Sequence, residues 1–98
     1  MSASRRYRLA PLADRDLEDI WSYSHKNWSG QQADQYIMEL MKAFADLAAS
    51  RRQGTPLAAH RGYLRLVVGS HAIFYRASSG AINIIRVLHQ SMDTRRHL

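Results

Sequence analysis

Cysteine is absent from the 98 residues, which excludes a disulfide framework or a thiolate zinc site as the device holding so short a chain together. A chain that uses no disulfide suits a reducing compartment, and the cytoplasm is the expected location. Long apolar runs are missing too. No segment approaches the ~20 apolar residues of a membrane span, and Arg5, Arg6 and Arg8 are followed by no apolar stretch of the kind a secretory leader needs. Pro11 and Pro56 are the only prolines and glycines number five, so no Pro/Gly-rich linker divides the chain. With usual domains of about 100 to 150 residues, a single domain is expected. In the second half the scarce commodity is negative charge: residues 51–98 hold eight arginines against Asp93 alone. Such a surface attracts anionic partners, nucleic acid or acidic protein, and charge by itself does not choose between them.

What is present is an ordinary globular composition, 46% hydrophobic and 22% charged with a net charge of +6, which argues against disorder. Tyr7 and Leu9 alternate with arginines between Arg6 and Ala10, the pattern of an opening strand. Pro11 suits the first turn of a helix, and Asp14, Asp16, Glu18 and Asp19 complement its dipole, so a helix is expected from Pro11 to Asn27. Its apolar stripe reads Ala13, Leu17, Ile20, Trp21 and Trp28. Ser29-Gly30 breaks it, and Gln31 to Ala49 repeats the pattern with Ala33, Tyr36, Ile37, Leu40, Met41, Phe44, Leu47 and Ala48. The two read as an antiparallel helical hairpin. Ser50 to Gly62 has the composition of a loop. Three β-rich runs follow, Tyr63 to Val68, His71 to Ala77 and Ala81 to His89, and then a short turn or tail. The expected fold is α+β, in the order β-α-α-β-β-β, with the hairpin packed on one face of a mainly antiparallel sheet.

Period-2 geometry sharpens this. With Leu64, Leu66 and Val68 toward the helices, Arg65 turns away. With Ile73 and Tyr75 inward, Arg76 turns away; with Ile85 and Val87 inward, so does Arg86. The same parity sends Phe74, Ile82, Ile84 and Leu88 to the helix-free side, an apolar surface ringed by guanidinium groups that monomers rarely leave uncovered.

These residues resemble the ParE-type toxins of the RelE/ParE superfamily over nearly the whole chain. The opening Tyr7-x-Leu9-x-Pro11-x-Ala13-x-x-Asp16-Leu17-x-x-Ile20-x-x-Tyr23 is similar to the family's first strand and helix. Trp28, Ala33, Tyr36, Phe44 and Leu47 match its hairpin, Gly54 its loop, and His71-x-Ile73-Phe74-Tyr75 its third strand. The ending is the most specific part: Ile82-x-Ile84-x-Arg86-Val87-Leu88-His89, then Met92-Asp93 and Arg96-His97-Leu98. The resemblance implies a toxin acting on DNA gyrase, without a cofactor or a catalytic site of its own. It also implies neutralisation by a ParD-like antitoxin whose disordered C-terminal segment folds on the toxin surface. A segment of that kind would cover the apolar residues Phe74, Ile82, Ile84 and Leu88 while its acids meet Arg65, Arg76 and Arg86. The basic end, Arg95, Arg96 and His97, is either a solubilising tail or a contact with the target.

Related RelE-type toxins cut ribosome-bound mRNA, which needs a base, an acid and cations around a phosphorane. His89 with Arg65 and Arg86 is the candidate set here, set against a plain structural hydrogen bond for His89. A nucleic-acid-binding module is a third reading, supported only by the basic half; for the toxin reading no direct nucleic-acid specificity is expected. The histidines, His25, His60, His71, His89 and His97, show no metal-ligand spacing. Trp21 and Trp28 read as core against the second helix rather than partner anchors. Asp16, Glu18 and Asp19 read as a solvated helix start.

Overall fold

The computed structural model describes residues 6–92 and 94–98; Arg5 and Asp93 lie outside them. The chain enters as β1 (Arg6–Leu9) and leaves the sheet at Ala10, whose N–H donates to the Ile84 carbonyl at 2.9 Å. Pro11 then begins α1 (Pro11–Asn27), where its missing N–H costs nothing. Ser29 has extended backbone and its hydroxyl accepts from the Gln32 N–H at 3.1 Å, so α2 (Gly30–Ala48) starts with a satisfied cap and the helices form the expected hairpin. After it come β2 (Thr55–Pro56), β3 (Leu64–Val68), β4 (His71–Ser78), β5 (Ala81–His89) and a last turn of helix, α3 (Thr94–His97).

The sheet order is β1-β5-β4-β3-β2, with β1 parallel to β5 and the other pairs antiparallel. Both helices pack on one face, as the periodicity requires. β2 is an addition inside the anticipated loop: Thr55 and Pro56 pair with Arg65 and Leu64, a stretch too short to carry an alternating pattern. Gly54, just before it, is forced to be glycine. A Cβ there would stand 2.6 Å from the Arg65 carbonyl oxygen and 2.8 Å from the Tyr75 hydroxyl, to which the Gly54 N–H donates at 2.7 Å.

The main core lies between the hairpin and the sheet, around Leu40, Phe44, Leu47, Ile73, Ile82 and Ile84, with Tyr7 stacked at a tilt on Phe44, centroids 5.5 Å apart. Ile82 and Ile84 in this core contradict the face assigned to them from the alternation. The cause is a β-bulge: Phe74 opposes Arg86 and Tyr75 opposes Ile84, which leaves Ile85 as an extra residue that resets the parity of β5. Val87 remains inward and Leu88 outward, but everything before the bulge is reversed.

Three further expectations fail on the helices. Trp28 is 60% exposed and Trp21 38%, so neither completes a buried stripe on α1; that stripe ends in Ile20 and Ser24. Met41 is likewise exposed on α2. Asp16 is not a solvated helix-start carboxylate but, with Asp46, one of two buried charged residues among those described.

Candidate functional site

The register fixes what the helix-free face of the sheet carries. At one end stand Val67, Ala72 and Leu88, in register across β3, β4 and β5. The next row is Arg65, Phe74 and Arg86. Beyond the bulge comes Arg76 opposite Asn83, which in turn is beside Arg8 of β1. The face therefore grades from apolar at one end to cationic at the other.

The apolar end is not bare, contrary to the reading from the sequence. Ala72, Phe74 and Leu88 are buried, because Leu57 from the loop after β2 and Leu98 from the C-terminus pack over them. Only Val67 of that end is well exposed.

Of the three arginines expected to face outward together, Arg65 and Arg76 do so. The Arg76 guanidinium lies over the Tyr63 ring, 5.3 Å from its centroid. A Cβ at Gly62, whose φ is +86°, would come within 3.4 Å of it. Arg86 behaves differently. Its Nε and Nη2 donate to the two Asp16 carboxylate oxygens at 2.8 and 2.9 Å, and its Nη1 donates to the His97 carbonyl at 3.0 Å. The Val87 N–H adds a bond to Asp16 Oδ2 at 2.9 Å. The physical reason is the short β1: once the chain turns into α1 at Ala10, β5 has no strand partner on its β1 side beyond Ile84, and the Asp16 carboxylate takes that place. This hydrogen bonding from Asp16 raises the Arg86 pKa further, against the effect of burial. Arg86 is thus a tie between α1, β5 and the C-terminus, not a free cation.

On the helical side, at the β3–β4 turn, Tyr36 Oη lies 2.6 Å from His71 Nδ1 and accepts the Ser70 N–H at 3.1 Å. Burial pushes the Tyr36 hydroxyl up and the His71 imidazole down; the neighbouring His89 lowers His71 further while Asp16 opposes the shift. The His71 and His89 rings meet edge to face at 5.4 Å. His89 Nδ1 accepts the Ser91 N–H at 3.1 Å and contacts the Ser91 hydroxyl at 2.8 Å, closing the turn after β5. The candidate set for RNA cleavage, His89 with Arg65 and Arg86, is therefore not brought together. His89 shares the helix side with His71, Arg65 stands on the opposite face and Arg86 is consumed by Asp16. Among the described residues no three His, Asp or Glu side chains converge as a metal site. No helix among them is long and apolar enough to cross a membrane. Arg95, Arg96 and His97 lie on α3, where the His97 carbonyl is the acceptor for Arg86.

The family model for the ParE toxin of the type II toxin–antitoxin system parDE matches residues 7–94. The chain belongs to this toxin family. Toxin ParE1 of Mycobacterium tuberculosis is 44% identical over 97 residues, covering 97% of this chain and 99% of the relative. Toxin ParE1 of Caulobacter vibrioides is 45% identical over 93 residues, covering 94% and 96%. Among solved structures, a chain of the chromosomal ParDE system of P. aeruginosa superposes with a TM-score of 0.78 at 17% identity over 90% of this chain and 98% of that one. A chain of the RelBE2 toxin–antitoxin complex of M. tuberculosis superposes with a TM-score of 0.67 at 22% identity, over 90% and 100%. These two likenesses speak for the fold, and the sequence relatives for the family.

Within this ParE toxin, the alternation of β1 carried an unused signal. Tyr7 and Leu9 pack into the core, so Arg6 and Arg8 share the outer face with Arg76. The same period that placed Arg65 and Arg76 could have placed these two. Asn83 was hidden by the bulge.

Proposed function

We propose that this type II toxin inhibits DNA gyrase and is neutralised by a ParD-like antitoxin that lies along the helix-free face of the sheet. The gyrase target rests on family membership. The antitoxin reading is carried by one observation: Arg65 stands next to the apolar end of that face and Arg76 further along it, and among the described residues neither has a carboxylate partner. The ParDE and RelBE2 systems named above pair such a fold with an antitoxin. An acidic, partly apolar segment would place its acids on Arg65 and Arg76 and rest its apolar side chains on Val67, Leu57 and Leu98. Arg86, Ile82 and Ile84 drop out of the contact set, since the first is bonded internally and the others are core; Phe74 and Leu88 act from beneath.

Two experiments test the reading. Purified toxin is incubated with gyrase and plasmid, and lost supercoiling or trapped cleavage complexes are expected; unaffected gyrase at saturating toxin removes the target. Arg65→Glu with Arg76→Glu should weaken antitoxin binding by more than about 30-fold, the most that losing two surface pairs of ~0 to 1 kcal/mol each would produce, because charge reversal adds repulsion. Unchanged affinity moves the antitoxin to another surface.

A further inference from the structure

The described carboxylates of this molecule are confined to one layer. Every described Asp and Glu lies on α1 or α2, while the helix-free face of the sheet carries arginines and no described carboxylate. At its cationic end, Arg8, Asn83 and Arg76 stand in one row across β1, β5 and β4, with Arg6 two residues back along β1. Leu9, Ala10 and Ile85 line the shallow depression between Arg8 and Arg76. Arg6, Arg8 and Arg76 are exposed and, among the described residues, none makes an ion pair.

We propose that this corner of the sheet binds the sugar–phosphate backbone of duplex DNA without reading its sequence. Strand geometry sets the spacing of the cations. Arg6 and Arg8 are about 6.6 Å apart along β1, and Arg76 stands two strands away, about 9.6 Å. A duplex carries about six phosphates along 10 Å of its axis, both strands counted, so about three of them face a patch of that size, whereas an extended peptide presents one side chain per ~6.7 Å to a given face. Duplex DNA therefore supplies the charge density that Arg6, Arg8 and Arg76 call for as a cluster, whereas an acidic segment along the sheet engages Arg76 singly, together with Arg65.

The remaining chemistry agrees. The Asn83 amide adds a neutral donor, and guanidinium, amide and hydroxyl groups are what contacts to phosphate and sugar commonly use. Ile85 and Ala10 give a small apolar rest for deoxyribose. The one aromatic ring of this corner, Tyr63, is covered by Arg76, so the corner offers no stacking platform of the kind single strands require. Arg6 and Arg8 on one side and Arg76 on the other can reach both walls of a B-form minor groove about 6 Å wide; the wide, shallow minor groove of duplex RNA fits the triangle less well. With all described acids on the opposite layer, the molecule's field turns the sheet face toward the polyanion. The inference stands apart from the gyrase reading, since DNA can bind while gyrase is untouched.

The test is fluorescence anisotropy of a labelled mixed-sequence DNA duplex titrated with the purified toxin. Three phosphate contacts predict that binding weakens about 40-fold between about 50 and 200 mM salt, a log–log slope of about −2.7. In Arg8→Gln with Arg76→Gln the slope should fall to about −1 and low-salt affinity at least tenfold. Arg15→Gln with Lys26→Gln removes the same charge from exposed positions on α1 and should cost less than threefold. Circular dichroism checks that both pairs of substitutions leave the fold intact. No binding at low salt, or equal losses in the two double variants, overturns the proposal. So does tighter binding of a single strand or an RNA duplex of the same length, or loss of a Glu-rich peptide rather than of DNA in Arg8→Gln with Arg76→Gln.

Discussion

Asp16 and Arg86 are 70 residues apart in sequence and joined by two parallel hydrogen bonds of 2.8 and 2.9 Å, with side chains only 10% and 15% exposed. Truncating one partner of a buried pair costs about 3 to 5 kcal/mol, mostly because the other charge is left uncompensated. The residual exposure of Arg86 lowers that figure, so Asp16→Ala should destabilise by about 2 to 4 kcal/mol, including the loss of the acceptor for the Val87 N–H. For a domain of this size the melting temperature falls by roughly 10 to 25 °C. Arg86→Ala should cost a similar amount, since Asp16 then keeps only the Val87 N–H. The double variant removes both charges and should cost about 3 to 4 kcal/mol, well short of the sum, which leaves a coupling energy of about 2 kcal/mol. Urea unfolding of the four proteins followed by circular dichroism measures the cycle. Additivity to within about 0.5 kcal/mol would refute the argument that the two groups stabilise the fold as a unit.

Two other outcomes follow from the same structure. His71 is held below its ordinary pKa by burial and by His89, so below about pH 6.5 the unfolded chain binds the proton that the folded one resists. Stability should therefore decline as pH falls from about 7 to 5, and His71→Gln should flatten that decline when urea midpoints are compared across the range. Gly54→Ala sets a methyl group against the Arg65 carbonyl and the Tyr75 hydroxyl, and the overpacking should cost about 1 to 3 kcal/mol in the same assay. A neutral Gly54→Ala would mean that the β2–β3 contact yields easily.

Much was legible before any coordinate, because it depends on local periodicity. The helix limits at Pro11 and Ser29, the hairpin, the three long strands and the outward turn of Arg65 and Arg76 all follow from which residues recur at 3.6 or at 2. So did the family, because the ending from Ile82 to Leu98 combines spacing with particular residue types. The face of Ile82 and Ile84 did not. Alternation can be carried along a strand only while the register is unbroken, and the bulge at Ile85 is a pairing of two strands. In hindsight the Ile84-Ile85 doublet is its trace, since Ile82, Ile84 and Val87 cannot all face the helices under strict alternation.

The partner of Arg86 lay further out of reach. Nothing local to Asp16 marks it as anything but a helix-start carboxylate; only the early exit of β1, which leaves the Val87 N–H without a strand, brings α1 close enough to supply the acceptor. The covering of Phe74 by Leu57 and Leu98 is of the same kind. By itself the sequence determined the helices and the long strands, their faces within unbroken strands, the excess of arginine after residue 50 and the family. Tertiary structure decided which arginines are spent on the fold and which remain for a partner, because that depends on contacts across long separations, which no periodicity records.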